Sequence, residues 1–270
     1  MDSTFLKWAG GKTWFVKNQN HRLPEIYERY IDPFVGGGAL YFYLEPERAI
    51  INDVNGELIT TYRAIQHEWK KVETKLREHA RHHNRDYYYQ IRSMKPRKAY
   101  TIAARMIYLN RTCFNGIYRV NKDGKFNVPI GSPHPVVTNF DQFQERSRIL
   151  QGTEINEGDF EHIIDQALPG DFLFCDPPYA VLEENRFVSY TRNEFNWNDQ
   201  IRLRNALVRA LERDVQIIMT NVNHHEVKAL YEGIDGFILD EVTRYSGISG
   251  TNDGRKPYSE LIVSANIRRN

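Results

Sequence analysis

Short apolar runs alternate with amphipathic stretches along much of the chain. The apolar runs predict five strands, at residues 29–34, 48–53, 153–159, 171–176 and 215–219. Helical spacing of apolar residues predicts helices between them, at 57–66, 160–167 and 198–213. Strands that alternate with helices favour an α/β fold with a Rossmann-like sheet. Two last strands, 237–244 and 259–267, are joined by a short link, which favours a closing antiparallel hairpin.

The alternation stops between residues 67 and 145. This block contains stretches of helical pattern at 67–80, 86–93 and 98–112, followed by a loop-rich stretch at 115–135. It shows no pattern typical of a buried strand. We therefore predict an inserted helical domain at 57–145 within a core formed by residues 1–56 and 146–270.

The composition favours a reduced, cytoplasmic protein. The chain has 270 residues, of which 41% are hydrophobic and 26% charged, as in ordinary globular proteins. The sequence has no apolar run long enough to cross a bilayer and no secretory pattern at its start, so we expect no membrane association. Cys113 and Cys175 are the two cysteines, and their placement in separate segments disfavours a disulfide-stapled fold.

The formal net charge of +1 conceals an uneven distribution. Residues 63–148 hold 18 Lys and Arg against 7 Asp and Glu, a net charge of +11, which leaves −10 for the rest of the chain. A basic segment in an otherwise acidic chain favours a polyanionic partner. Solvated helix faces are the alternative explanation.

A rigid acidic corner follows the predicted strand at 171–176. It consists of Asp176, Pro177, Pro178 and Tyr179. Open α/β sheets bind ligands beyond the carboxyl ends of their strands, and prolines make a turn rigid while leaving its carbonyls free of local N–H partners. A carboxylate, a carbonyl and an aromatic ring can together hold the exocyclic amino group of a flat base. The alternative is a strand-end loop with a surface tyrosine.

A glycine turn follows the first predicted strand. Gly36 is the first of three consecutive glycines after Phe34 and Val35, and glycine allows the backbone to approach a ligand closely. The spacing differs from the dinucleotide-binding pattern. Asp53 ends the second predicted strand, where an acid can bind ribose hydroxyls, although a helix N-cap is the alternative. An adenosine ligand without a pyrophosphate, such as S-adenosylmethionine, fits these residues, and Asp159 after the third strand is a further candidate for contact with adenine.

Two other motifs are misleading in isolation. Gly11-Lys12-Thr13 matches the end of a phosphate loop, but Leu6 occupies the position where that motif requires its first glycine. Lys12 and Trp8 are therefore candidates to bind a carboxylate and an adenine ring. The pairs His82-His83 and His224-His225 have no Cys or carboxylate cluster at ligand spacing, so we predict no metal site.

Taken together, the ordered motifs resemble the Dam-type DNA N6-adenine methyltransferases almost from end to end. The matching segments are 7–12, 32–39, 52–55, 110–111, 114–116, 126–129, 158–160 and 176–179. The resemblance implies a class I methyltransferase fold with an inserted target-recognition domain. It also implies base flipping and methyl transfer from S-adenosylmethionine to adenine N6 in double-stranded DNA, with S-adenosylhomocysteine as the product. The usual target of the family is GATC.

The resemblance also implies roles for individual residues. Trp8, Lys12, Asp53 and Asp176 would contact the cofactor, and residues 176–179 would bind the target adenine. The loop at 111–119 would enter the DNA, with Phe114 as an intercalating aromatic. Asn115 and Arg119 would occupy the positions of base-reading side chains. Further candidates for contact with DNA are Lys7, Arg111, Asn127 and Pro129. For Phe114 the alternative is a core contact between helices, and for Arg119 it is a phosphate contact.

Two competing functions remain open at this point. One is a methyltransferase that acts on an amino group in RNA or protein, and the other is a binding module without catalysis. The basic segment with its aromatic-tipped loop disfavours a protein substrate, and the acid at Asp176 disfavours a non-catalytic module. A prokaryotic or phage-infected cell is the expected setting, and the sequence carries no signal of an oligomeric state.

Overall fold

The computed structural model describes residues 4–121, 124–138, 141–179, 182–183, 186–187, 195–245 and 257–269. Helices and strands alternate within these ranges. In chain order they are α1 (Thr13–Asn18), β1 (Tyr30–Asp32), α2 (Ala39–Leu44), β2 (Ala49–Asp53), α3 (Gly56–His82), α4 (Arg85–Ser93), α5 (Ala99–Thr112), α6 (Phe143–Leu150), β3 (Thr153–Glu157), α7 (Phe160–Asp165), β4 (Phe172–Cys175), β5 (Leu182–Glu183), β6 (Arg186–Phe187), α8 (Trp197–Glu212), β7 (Gln216–Val222), α9 (His225–Ala229), β8 (Ile238–Tyr245) and β9 (Pro257–Ala265).

The chain packs as two compact units. The first comprises Met1–Arg22 and Val35–Gly158, and the second comprises Leu23–Phe34 and Asp159–Asn270. The bounds of these two units differ from those of the predicted domains and do not test what each predicted domain does. The prediction of a separate recognition domain at 57–145 therefore stays a prediction.

The second unit contains parallel strands and a closing hairpin. Its strand order is β1-β4-β7-β9-β8, in which β4 pairs in parallel with β1 and β7, whereas β9 is antiparallel to β7 and β8. All four residues of β4 are buried, as expected for a strand covered on both faces. The predicted Rossmann-like α/β class and the closing hairpin are confirmed. The glycine-rich link between the last two strands, at 246–256, lies outside the described residues.

In the first unit a long helix is anchored beside a pair of parallel strands. β2 and β3 pair with Ile51 opposite Ile155 and Asp53 opposite Glu157. α3 packs against both strands and against α5 and α6. The Arg63 side chain donates hydrogen bonds to the carbonyl oxygen of Ile155, and the Gln66 amide donates to the backbone beside β3. These bonds satisfy backbone groups at the edge of the strand pair.

α3 departs from the predicted division into two helices. The helix runs from Gly56 to His82, but Glu68 inside it has non-helical backbone angles (φ −133°, ψ 25°). The predicted helices at 57–66 and 67–80 thus form one helical run with a kink between them. Among the described residues, no helix combines the length and the apolar character needed to cross a bilayer.

A buried histidine lies where α3 packs near α4 and α5. The His79 ring is 2% exposed, its Nδ1 lies 2.8 Å from the Tyr87 hydroxyl, and its ring packs against Tyr108. Burial lowers the pKa of His79 to about 4, with nearby Lys75 and His82 acting in the same direction and Glu78 opposing them. His79 is therefore neutral in the folded protein at pH 7.

We expect acid to destabilise the protein through His79. The folded-state pKa lies below the ordinary value of about 6.5, so the unfolded chain takes up this proton first as the pH falls. The stabilising contribution is complete above about pH 6.5 and is lost progressively toward pH 4, at a cost of about 2 kcal/mol at pH 4.5. Urea unfolding at pH 7 and pH 4.5 measures this loss.

The comparison uses two variants. His79→Phe should lose less stability between the two pH values than the wild type, because it cannot take up the proton. His67→Phe, at an exposed position of the same helix, should keep the wild-type pH dependence. Equal losses in the wild type and His79→Phe would contradict the assignment.

Candidate functional site

The glycine turn of the first unit holds an aromatic ring close to its backbone. Gly36 has a left-handed φ of +48°. A Cβ atom on Gly36 would lie 2.7 Å from Cδ1 of Trp8, and one on Gly37 would lie 3.0 Å from Trp8 Cβ. The sequence predicted a close approach by a ligand at this turn. In the structure it is the half-buried Trp8 indole that approaches the turn, and it leaves no room for a side chain at Gly36.

Asp53 ties the glycine turn to the end of β2. Its Oδ2 accepts a hydrogen bond from the Gly36 amide at 3.1 Å, and its Oδ1 accepts one from the Asn55 amide at 2.9 Å. Burial raises the pKa of Asp53, while backbone N–H groups, including those of Asn55 and Gly36, oppose that rise. The N-cap of α3 is Asn55, which accepts from the Leu58 amide, so the alternative role of Asp53 as N-cap is excluded.

Lys12 lies at the start of α1 and is 4% exposed. Its ammonium donates a hydrogen bond to the carbonyl oxygen of Gly10 at 3.0 Å. Gly10 has a φ of +76°, which places the chain in a turn between Trp8 and Lys12. The segment therefore brings a cation and an indole onto one short turn of the first unit.

The predicted DNA-contacting loop forms a narrow turn that presents polar and apolar side chains. Cys113 pairs with Ile130, and Val120 pairs with Phe126, as isolated antiparallel bridges. At the tip, the Phe114 side chain is 54% exposed, which excludes the alternative of a core contact between helices. The exposed residues around it are Asn115, Arg119, Asn127 and Pro129.

Backbone and side-chain bonds give this loop its shape. Asn115 has a left-handed φ of +56°, and the Phe114 amide donates to the carbonyl oxygen of Pro129 at 2.9 Å. The Arg119 Nε donates to Oδ1 of Asn127 at 3.0 Å, and the Asn127 amide donates back to the carbonyl oxygen of Arg119 at 3.1 Å. Arg119, a predicted base-reading residue, and Asn127, a predicted DNA contact, are thus held together.

Arg111 is placed differently from the other predicted DNA contacts. It is 7% exposed and forms an ion pair with Asp141, with 2.8 Å between Nη2 and Oδ1. Its guanidinium also donates to the carbonyl oxygens of Val136 and Phe5. This burial favours a supporting role beneath the loop over the predicted direct contact with DNA.

Asn110 is a residue whose role the sequence reasoning missed. It was noticed as part of the matching segment 110–111, but no chemistry was assigned to it. Its fully buried side chain bonds to both backbone groups of the exposed Lys7 and to the carbonyl oxygen of Gly116. A buried amide that pairs with two distant segments is visible only in three dimensions.

In the second unit, the acidic corner directly follows β4. Asp176 and Tyr179 are half-buried, Pro177 is buried and Pro178 is exposed. The Thr220 hydroxyl on β7 donates to Oδ1 of Asp176 at 2.9 Å, because β4 and β7 run side by side in parallel. Thr220 was missed in the sequence because the predicted strand ended at residue 219.

Cys175 precedes this acid at the end of β4. Its thiol is fully buried. Burial and the neighbouring carboxylates of Asp32 and Asp176 raise the pKa of Cys175 well above its ordinary value. The thiol therefore stays protonated at physiological pH and packs as part of the core.

The remaining predicted cofactor residues of the second unit have protein partners. The Phe34 ring packs against those of Phe160 and Phe195. Asp159 is exposed, caps α7 by accepting from the Glu161 amide, and forms an ion pair with Arg202 at 2.7 Å. These contacts are compatible with the predicted cofactor roles but do not require them.

The structure gives no support for a metal centre among the residues it describes. Within those ranges no group of three or more His, Cys, Asp and Glu side chains is arranged to hold an ion. His82 and His83 instead contact the Glu78 carbonyl oxygen and the Tyr108 hydroxyl, and His224 caps α9.

Known proteins resemble this chain along nearly its whole length. The family model for D12 class N6 adenine-specific DNA methyltransferases matches residues 8–246. The type II methyltransferase M1.LlaDCHI of Lactococcus lactis subsp. cremoris is 34% identical, over 96% of this chain and 94% of that protein. M.MjaIII of Methanocaldococcus jannaschii, also a type II methyltransferase, is 35% identical over 96% and 98%. The DNA adenine methylase of Vibrio cholerae is 31% identical over 96% and 94%.

We expect Gly36→Ala to destabilise the protein and displace the Trp8 indole. The left-handed φ alone costs roughly 1–2 kcal/mol for a residue with a Cβ, and the contact with the indole adds about 1–3 kcal/mol of overpacking. Gly10→Ala is the matched control, since its φ is also left-handed but a Cβ there would meet no atom within 4 Å. The free energy of unfolding in urea checks both, and equal losses would contradict the role assigned to the Trp8 contact.

Proposed function

Because this chain belongs to the D12 class N6 adenine-specific DNA methyltransferases, we propose that it transfers a methyl group from S-adenosylmethionine to N6 of an adenine flipped out of duplex DNA, with GATC as its target. The observation that carries the proposal is the corner at the end of β4, where Asp176 is oriented by Thr220 and followed by two prolines and Tyr179. We place the enzyme in the cytoplasm of a prokaryotic or phage-infected cell, where its DNA substrate lies.

The acidic corner accounts for activation of the amino group. Adenine N6 is a poor nucleophile because its lone pair is delocalised into the ring. In the proposed complex the Asp176 carboxylate and the Pro177 carbonyl accept hydrogen bonds from the two N6–H groups, which favours a pyramidal nitrogen with its lone pair available. The Thr220 hydroxyl donates to Oδ1 of Asp176 and so helps to orient the carboxylate.

Access to the base requires extrusion from the helix. Enzymes that modify a base pay a few kcal/mol to unstack it and recover that cost in a fitted pocket. Tyr179 is half-buried beside the corner and supplies a stacking surface for the extruded adenine. Orientation of the amino group by these fixed residues then accounts for much of the rate gain.

The residues proposed to hold the cofactor fit an adenosine with an amino-acid tail. When bound, S-adenosylmethionine supplies an electrophilic methyl group on a sulfonium centre. Asp53 is half-buried and held by two backbone amides, so its carboxylate is fixed in one orientation, which suits ribose hydroxyls. Trp8 offers an indole face for adenine, and Lys12 a cation for the carboxylate. Phe34, Gly36, Asp159 and Asp176 complete the proposed set.

The loop of the first unit is suited to enter DNA. The exposed Phe114 has the character of the apolar wedges that unstack base steps. Arg119 is exposed beside Asn127 and presents a guanidinium that can bind a guanine edge at two atoms. Lys7, Asn115 and Pro129 add contacts in the proposal, while the buried Arg111 supports the loop from below.

We expect Asp176→Ala to abolish methyl transfer while leaving the fold intact, because the carboxylate that accepts a hydrogen bond from N6–H is lost. Transfer of labelled methyl groups to duplex DNA, RNA and protein measures both activity and substrate class. Asp235→Ala, an exposed aspartate of the same unit, should retain wild-type turnover. Unchanged turnover in Asp176→Ala, or wild-type transfer to RNA or protein alone, would overturn the proposal.

We expect Arg119→Ala to relax selectivity at one guanine of the target, by about 1–3 kcal/mol of discrimination. Mapping of N6-methyladenine in a host without other methyltransferases identifies the target and shows the relaxation directly. Methylation at GATC is the expected wild-type pattern. Uniformly weaker methylation with unchanged selectivity would instead mean that Arg119 contacts a phosphate.

A further inference from the structure

Two segments of the first unit that are distant in sequence are joined by one buried side chain. Asn110 accepts a hydrogen bond from the Lys7 amide at 2.8 Å and donates to the Lys7 carbonyl oxygen at 2.7 Å. The same amide nitrogen donates to the carbonyl oxygen of Gly116 at 3.2 Å. Gly116 has a left-handed φ of +65°, which favours glycine, and it lies against the Lys7 side chain. The segment that carries Trp8 is thereby fixed against the DNA-contacting loop.

An aromatic pair lies next to this connection. The rings of Trp8 and Tyr118 are stacked, with 5.6 Å between their centroids and 23° between their planes. Trp8 also lies against Gly36, whose amide is bonded to Asp53. One indole therefore touches both the turn proposed to hold the cofactor and the loop proposed to enter DNA.

Tyr118 is restrained at its other end. Its hydroxyl donates to Oε2 of Glu57 at 2.9 Å, and Oε1 of Glu57 pairs with Arg105 Nη1 at 3.2 Å. Glu57 lies in the first turn of α3, four residues after Asp53. Burial and the neighbouring carboxylate raise the pKa of Tyr118, so the hydroxyl remains a donor at physiological pH. The tyrosine thus links the loop to Trp8 and to the first turn of α3.

We propose that Tyr118 is a positioning residue that couples cofactor binding to DNA binding through its stack on Trp8. The proposal rests on the function proposed above. An adenine ring that binds Trp8 fixes the indole, and the indole fixes Tyr118 and the loop between Phe114 and Arg119. DNA then binds a loop that the bound cofactor has already fixed in position. The two ligands therefore bind cooperatively without a large rearrangement.

Thermodynamic linkage gives the coupling a measurable form. If the cofactor raises the affinity for DNA by some factor, DNA must raise the affinity for the cofactor by the same factor. Loss of the stack should lower this factor. If Tyr118 had only a structural role, its loss would weaken the binding of both ligands. The factor by which the cofactor raises the affinity for DNA would then stay the same.

The test measures binding of duplex DNA containing the mapped target by fluorescence anisotropy, with and without saturating S-adenosylhomocysteine. We expect the product to raise the DNA affinity of the wild type by about 5-fold or more, within the usual range of allosteric coupling. In Tyr118→Ala the factor should fall below about 2-fold. Tyr118→Trp keeps a stacking ring and should retain most of the coupling. Tyr118→Leu also removes the ring but loses less side-chain volume than Tyr118→Ala, and it replaces that variant in the test if the alanine variant does not fold.

Tyr43→Ala is the matched control, because it removes an exposed tyrosine of the same unit and should keep the wild-type factor. Calorimetric titration of S-adenosylhomocysteine with and without DNA should give the same factor independently. A wild type without coupling, or wild-type coupling in both ring-removal variants, would overturn the inference. Labelled methyl transfer to DNA by the wild type is measured separately, so failure of the proposed function is distinguishable from failure of the coupling.

Discussion

The Asp53 carboxylate is the constraint on which the first unit's candidate site depends. It holds the amide of Gly36 on one side and that of Asn55 on the other. The first bond fixes the glycine turn against which Trp8 lies, and the second sets the chain direction into α3. A single carboxylate therefore organises both the glycine turn and the start of the helix that anchors the unit. Its raised pKa reflects burial that these amide donors only partly offset.

Each unit contains residues of its own that belong to the proposed function. The second unit supplies a rigid acid whose orientation comes from a neighbouring parallel strand, since Thr220 on β7 faces the residue that ends β4. The first unit supplies an indole, a buried cation and an exposed loop tip. The family model matches residues 8–246 and therefore includes residues of both units.

Local sequence patterns were sufficient to predict the parallel strands, which are apolar runs. They also predicted the position of the corner at Asp176, because two prolines after an apolar run restrict the backbone strongly. They were insufficient at Glu68, where helical periodicity continues through a kink. The charge count of residues 63–148 also overestimated the positive charge at the surface. Arg105, Arg111 and Arg146 contribute to the basic segment but are buried in the folded protein, so they add little to its surface charge. The stack of Trp8 on Tyr118 joins residues 110 positions apart, a pairing that no local pattern encodes.

The cysteine that precedes Asp176 has a consequence for chemical resilience. Oxidants and alkylating agents attack the thiolate, and burial keeps Cys175 protonated and out of reach. Cys113, behind the loop tip, has its pKa raised by burial to about 11. Neither sulfur offers peroxide a ready target in the folded state. Oxidants that inactivate enzymes by attacking exposed thiols should therefore leave both cysteines of the folded protein unmodified.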